Sequence, residues 1–296
     1  MASKRLSFAL FGNVYQQEKS AAVRRLIDCL HQHDAEVLVD KEYHDFLRRH
    51  EILERSGHRE FSDFAQLPAC DFAVSVGGDG TLLKTASRVG RRQTPIIGVN
   101  MGRMGFLADV SPDEVEAGID ALYRGDYSTE DRALIHVATS GEPIEGCPCA
   151  LNDVAILKRD TASMIGIRAS IDGEYLTTYQ ADGLIVSTPT GSTAYSLSNG
   201  GPIIVPGTGV LLLTPVAPHS LNVRPIVIPA SSKVELTVES RSHTFLVAID
   251  GRPMKMPEGT TLRLAQAPYT AKIVKRSSSR YCTTLREKMM WGADVR

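Results

Sequence analysis

The chain has no apolar run long enough to span a membrane. The basic residues near its start are followed only by a short apolar patch that alternates like a strand, so a secretory signal is not expected. Neither sign of charge dominates: 33 Lys and Arg face 34 Asp and Glu, for a net charge of −1. A protein that grips nucleic acid or an anionic membrane through a broad basic field is therefore not expected, and any anion must be held by local geometry. Cysteine is scarce and odd in number, at positions 29, 70, 147, 149 and 282. Cys147–Pro148–Cys149 is too tight for a zinc knuckle and has no partner pair, so all five read as reduced thiols of a cytoplasmic protein. The usual nucleotide and hydrolase signatures are also missing. There is no G-x-x-x-x-G-K-[ST], no G-x-G-x-x-G, no H-E-x-x-H and no nucleophile elbow, and the eight histidines suggest no ligand cluster.

What the chain does have is a glycine-rich turn that organises its first half. An apolar run ending at Val76 stops at Gly77–Gly78–Asp79–Gly80–Thr81, and a helix-like run follows over 82–89. Glycines let the backbone approach a bulky anion, and the helix start offers unpaired N–H groups and the positive end of its dipole. Asp79 is out of place on such a loop because a carboxylate repels phosphate. Two readings stand: it caps the helix, or it serves chemistry by bonding a hydroxyl, taking its proton or helping to hold a metal.

Around this turn, strands expected at 6–11, 36–39, 72–76 and 95–99 alternate with helices at 18–33, around Tyr43–Leu47 and at 82–89. That alternation predicts a Rossmann-like parallel sheet with helices on its faces and ligands at the carboxyl ends of its strands. A second glycine-rich loop, 98–105, would leave the sheet from the same edge. Ser111–Pro112–Asp113–Glu114 is a capping box with Pro at the first helical position, and Gly125 closes that helix. The helical period vanishes near 128–131. Short alternating runs take over from 134 to about 275, with Asp172–Gly173 as the best hairpin signal, and predict an all-β, sandwich-like domain. A last helix at 285–291 would return to the first domain. The expected division is 1–131 with 276–296, and 132–275.

Three places in the β region invite chemistry: Asn152–Asp153 and Asp182–Gly183, each at a strand start, and the hydroxyl-dense run from Ser187 to Ser198. Such a run is commonly a solvated loop. This one follows an apolar strand and contains Tyr195, and its hydroxyls, small residues and one ring suit a purine with its ribose.

Together these segments resemble the NAD kinase family. Its hallmarks are G-G-D-G-T, an N-E or N-D pair, and D-G-x-x-x-x-T-P-T-G-S-T-A-Y with a downstream G-G-P. Here they are Gly77 to Thr81, Asn152–Asp153, and Asp182 to Tyr195 with Gly200–Gly201–Pro202. Lipid kinases of the diacylglycerol and sphingosine type share G-G-D-G-T, but the T-P-T-G-S-T-A-Y run is specific to NAD kinases. The resemblance implies transfer of the ATP γ-phosphate to the 2′-hydroxyl of the adenosine ribose of NAD, with Asp79 as base. It implies phosphate contacts from Gly77, Gly78, Gly80 and Thr81, with Lys84 as a further phosphate or NAD contact. Asn152 and Asp153 would bind adenine and ribose, joined by Thr190, Thr193, Ala194, Tyr195, Ser196, Leu197 and Ser198. Asp182 would approach the nicotinamide end, with Ala217 nearby. Mg²⁺ or another divalent cation would arrive with ATP, and homodimers or homotetramers are implied. Ser163, Gln180 and Arg252 depart from common family residues (His, Arg and the Gln of D-G-Q).

Overall fold

The computed structural model describes residues 5–14, 20–53, 59–61, 69–101, 105–160, 163–276 and 281–290. It divides into two compact units, 1–131 with 271–296, and 132–270. In the first unit the chain runs β1 (Ser7–Gly12), α1 (Ser20–Gln32), β2 (Glu36–Asp40), α2 (Lys41–Arg49), β3 (Arg59–Phe61), β4 (Phe72–Gly77), α3 (Asp79–Val89), β5 (Ile96–Asn100), α4 (Val115–Arg124) and β6 (Tyr127–Arg132).

The sheet order is β3-β2-β1-β4-β5, with pairing parallel throughout this part. The strand order reverses at β1 and β4, whose ends Gly12 and Gly77 lie side by side through the Gly12↔Val76 register. This is the switch point at which doubly wound sheets bind ligands. Apolar β-strand residues such as Phe8, Leu10, Val74 and Ile97 pack with Leu26, Leu30 and Ile119 of the helices in one core. α4 begins as the sequence predicts. Ser111 N–H and Oγ–H donate to Glu114 Oε2, and Gly125 closes the helix at φ +74°.

The second unit contains β7 (Ile135–Thr139), β8 (Cys149–Ala150), β9 (Asp153–Lys158), β10 (Ile165–Ile171), β11 (Glu174–Ala181), β12 (Gly183–Ser187), the short α5 (Tyr195–Ser198), β13 (Val210–Val216), β14 (Ile226–Pro229), β15 (Val234–Glu239), β16 (Thr244–Ile249), β17 (Arg252–Pro257) and β18 (Thr261–Gln266). Two six-stranded sheets, β11-β10-β15-β18-β7-β8 and β14-β13-β12-β9-β16-β17, close over a shared apolar core. The buried positions of β15 and β18 are all apolar, while Glu235, Arg263 and Glu239 face out. That alternation is what a half-buried antiparallel strand requires. β10 and β11 form the predicted hairpin, with Asp172 at φ +53° and Gly173 at φ +86° in its turn.

After β18 the chain re-enters the first sheet as β19 (Ala271–Arg276), parallel to β5 through Ile273↔Ile96. The sequence pattern groups residues 272–274 with the β domain; the pairing places them in the other unit. The final helix is α6 (Tyr281–Met289), earlier than the expected 285–291, and Trp291 lies outside the described residues. Among the described residues no helix is long and apolar enough to cross a membrane.

Candidate active site

The glycine turn is built by close packing. A Cβ on buried Gly77 would sit 2.2 Å from Thr81 Oγ1, so Gly77 is needed for Thr81 to fold over the strand end. Gly78 is extended (φ −96°, ψ −168°) at the N-cap of α3 and supplies no side chain to the first-turn amides. Cβ atoms on Gly78 and Gly80 would meet nothing within 4 Å.

Asp79 is not the cap. It is the first residue of α3, and its carboxylate turns to the chain after β5. Phe106 N–H donates to Oδ2 at 2.6 Å, and Leu107 and Ala108 N–H donate to Oδ1 at 3.0 and 3.4 Å. Gly105 makes room for this, since a Cβ there would lie 2.7 Å from Asp79 Oδ1. Lys288 of α6 donates to the carbonyls of Gly105 and Ala108 and so fastens the same segment from behind. Lys84, on the exposed face of α3, pairs with Glu42 at 2.6 Å. Residues 102–104 of the second glycine-rich loop lie outside the described residues.

In the second unit, Asn152 and Asp153 begin β9 under the control of Asp250. The Asp250 carboxylate accepts N–H donors from Leu151, Asn152 and Asp153 at 2.7, 2.8 and 3.2 Å. Asn152 Oδ1 is buried without a hydrogen-bond partner. Asp153 is buried too, and its carboxyl is raised to about 7, first by desolvation and then by the nearby Asp250 carboxylate.

The hydroxyl run folds directly against this pair. Thr188 N–H donates to Asn152 O at 2.9 Å, Thr188 Oγ1 to Leu151 O at 2.6 Å, and Gly191 has no room for a Cβ, which would lie 2.1 Å from Asn152 O. The run is not a solvated loop. Thr188, Thr190, Ser192 and Ser196 are buried. Ser196 bonds Thr214 at 2.8 Å, Ser192 bonds Pro189 O and Ile204, and Thr190 accepts from Arg132. These internal bonds hold a surface on which Thr193 and Ala194 are half-buried and Tyr195 is 40% exposed. Leu197 is half-buried and Ser198 exposed.

Asp182 pairs with Lys158 at 2.7 Å, and its N–H donates to Val216 O beside Ala217, a residue held at φ +43°. Asp182 and Ala217 are thus together. They stand at the other end of β12 from Thr188, about 20 Å away at the rise of an extended strand. The structure therefore gathers Asn152, Asp153 and the 188–198 run in one place and Asp182 with Ala217 in another.

Sequence reasoning points to Gly105 only as the end of the second glycine-rich loop and to Asp250 only through the D-G-R that departs from D-G-Q, and gives neither its role here. It misses Lys288 and the 106–108 amides, which leave no local signal. One further expectation is corrected: His33 does join a possible ligand group, with Cys29 and Asp120, between α1 and α4. There His33 Nε2 lies 2.7 Å from Asp120 Oδ1.

Comparison with known proteins gives one answer across the chain. The family models for the ATP-NAD kinase N-terminal and C-terminal domains match residues 8–127 and 151–276. A NAD kinase of Bacteroides fragilis is 52% identical over 98% of this chain and 100% of its own length. A NAD kinase of Porphyromonas gingivalis is 41% identical over 97% and 99%. Among solved structures, a NAD kinase from Archaeoglobus fulgidus in complex with ATP superposes with a TM-score of 0.72 at 28% identity, over 92% of this chain and 94% of that one. Yeast NADH kinase complexed with NADH shares the fold, with a TM-score of 0.86 at 23% identity over 99% and 89%. With both halves matched in order and relatives alike over nearly the whole length, the chain belongs to the ATP-NAD kinase family.

Proposed function

We propose that the protein phosphorylates NAD at the 2′-hydroxyl of its adenosine ribose with the γ-phosphate of ATP, giving NADP and ADP, and that Asp79 is the base. The observation that carries the assignment of Asp79 is the way its carboxylate is held. It opens a helix yet bonds three amides of another segment. A carboxylate has roughly four lone-pair positions. One donor on Oδ2 and two on Oδ1 leave Oδ2 able to accept one more hydrogen bond, that of a hydroxyl.

In this reading the ribose hydroxyl donates to Oδ2. Its proton passes there as the oxygen attacks the γ-phosphorus and the bond to the bridging oxygen of ADP breaks. Phosphoryl transfer asks the protein mainly for in-line placement and charge neutralisation. The backbone of Gly77, Gly78, Gly80 and Thr81 and the uncapped start of α3 serve the phosphates, with Lys84 of α3 assigned to the phosphates or to NAD. A divalent cation carried by the triphosphate neutralises charge there.

Asn152 Oδ1, an acceptor lacking a donor, suits the amino group of adenine, and Asp153 suits the ribose. Thr190, Thr193, Ala194, Tyr195, Leu197 and Ser198 flank that end, with Ser196 supporting them through Thr214. Asp182 and Ala217 are assigned to the nicotinamide end. The reading includes a cytoplasmic homodimer or homotetramer in which a neighbouring protomer completes part of each site.

The test is NADP formation from ATP, Mg²⁺ and NAD. Asp79→Asn should lower kcat by about 10²–10⁴, the usual worth of a positioned base, with KM for NAD unchanged. Unaltered turnover would sink the base assignment. A wild-type protein that forms no NADP would sink the whole reading.

A further inference from the structure

Phosphoryl transfer leaves one reactive group of the second unit unused. Cys147 and Cys149 flank Pro148 at the entry to β8, Cys149 being its first residue. Cys147 Sγ lies 3.8 Å from Cys149 O. The hydrogen bond of the Cys149 thiol, and after it the Cys149 backbone and the Arg252 guanidinium, hold the Cys147 thiol down at about 6 against its partial burial. Cys147 is half-buried and Cys149 is 4% exposed. The first can meet a small oxidant, and the second waits behind it. A thiolate is the nucleophilic form of cysteine.

The pair is wired to the dinucleotide end of the candidate site in two ways. Along the chain, Cys149 precedes Leu151, Asn152 and Asp153 by only a few residues. Across the fold, Arg252 Nη2 donates to Cys147 O at 2.9 Å and to Cys149 O at 3.3 Å, and Arg252 Nε donates to Ile249 O at 3.2 Å. Arg252 follows the Asp250–Gly251 turn, and Asp250 receives the amides of Leu151, Asn152 and Asp153. Joining two cysteines around a single proline, whose φ is fixed, closes a small ring. That closure must move the two carbonyls that Arg252 grips.

We propose that Cys147 and Cys149 form a reversible disulfide under a peroxide oxidant, and that its closure weakens NAD binding at Asn152–Asp153. This coupling rests on the reading of that pair as dinucleotide contacts. In the first step the Cys147 thiolate attacks a peroxide oxygen; an S–O bond forms, the O–O bond breaks, and hydroxide leaves and takes up a proton. In the second the Cys149 sulfur attacks Cys147 sulfur; the S–S bond forms, the S–O bond breaks, and the oxygen leaves as water with the Cys149 proton. Two thiols lose two electrons and two protons, and one hydrogen peroxide becomes two waters. A dithiol reverses the change.

The full-length protein is treated with hydrogen peroxide and the excess removed. The peptide carrying 147–149 is weighed, and NAD binding is measured by calorimetry before oxidation, after it, and after dithiothreitol. The expected result is a peptide lighter by two hydrogens and closed to alkylation, with Kd for NAD raised about tenfold, as for one lost hydrogen bond, and restored by the dithiol. Cys147→Ser and Cys149→Ser should each keep the reduced affinity in peroxide. Three results overturn the proposal: both thiols remain open to alkylation, the disulfide forms with Kd unchanged, or the double serine variant keeps the sensitivity. Reduced protein that binds no NAD overturns the dinucleotide reading and the coupling with it, whereas the disulfide is judged by mass alone.

Discussion

Three neighbouring glycines separate what the glycine turn needs to fold from what it needs to bind. Gly80 is exposed at the second position of α3, its Cβ would touch nothing within 4 Å, and its φ is not in the left-handed region. Alanine is preferred to glycine in a helix by up to about 1 kcal/mol, so Gly80→Ala should stabilise the first unit by roughly 0.5–1 kcal/mol. For a unit of this size that is a rise in Tm of about 1–4 °C. Yet in the proposed reaction the added methyl stands where a phosphate would pack, and misplacing reacting groups by about 1 Å can cost 10²-fold. The variant should therefore melt higher and turn over at least about tenfold more slowly. Gly77→Ala should do the reverse of stabilise. Its Cβ would lie 2.2 Å from Thr81 Oγ1 and 2.7 Å from Thr81 Cβ, an overpacking that costs about 1–3 kcal/mol. Gly78→Ala has space but takes the N-cap, where alanine is poorer than glycine, so a loss of about 0.5–1 kcal/mol is expected. Differential scanning calorimetry and steady-state kinetics with ATP varied read both effects. Gly80→Ala that is both more stable and fully active would refute the phosphate role of the turn.

Asp153 carries a pH prediction with an unusual sign. Its folded value of about 7 lies above the ordinary 3.8, so between those limits the native state keeps a proton that the unfolded chain releases. Stability attributable to Asp153 is present below pH 4 and is lost as pH rises to 7. Asp153→Asn, neutral and of the same shape, should match wild type in urea unfolding near pH 4 and exceed it above pH 7 by on the order of 1–4 kcal/mol; a gap that does not vary with pH counts against this account. Lys288→Met should release the 105–108 carbonyls and lower kcat about tenfold, at most one charged hydrogen bond's worth, while KM for NAD stays put. Lys288→Arg should recover part of the loss. A change in KM alone would assign Lys288 to binding instead.

The parts of the fold that the sequence discloses are those whose causes lie within a few residues. The capping box at Ser111 and Glu114 and the turn at Asp172–Gly173 each close on themselves, and both stand as read. β19 could not be read the same way. Its alternation resembles the neighbouring β strands, and only the parallel pairing with β5, far back in the chain, decides its unit. β3 hid in a polar stretch because a short edge strand needs little apolar surface. Burial of the hydroxyl run was illegible for the opposite reason. Serine and threonine count as polar in composition, and their fitness for a core appears only when carbonyls of Leu151, Pro189 and Ile204 are at hand to satisfy them.

The same distinction explains the site. Spacing put an acid on the glycine turn but not its direction, because the donors that aim Asp79 come from Phe106, Leu107 and Ala108, and the residue that fastens those comes from the last helix. Asp250 is the instructive case. Asp250–Gly251 repeats the dipeptide of the 172–173 hairpin, and its φ values of +48° and +75° make the same kind of turn. What concealed it was the strand after it: β17 reads Arg-Pro-Met-Lys-Met-Pro, and two prolines argue against a strand. They are tolerated because β17 is the last strand of its sheet and needs partners on one side only. The turn leaves an acid at a hairpin end, and its carboxylate needs donors. The nearest backbone able to supply them is the one that carries Asn152 and Asp153.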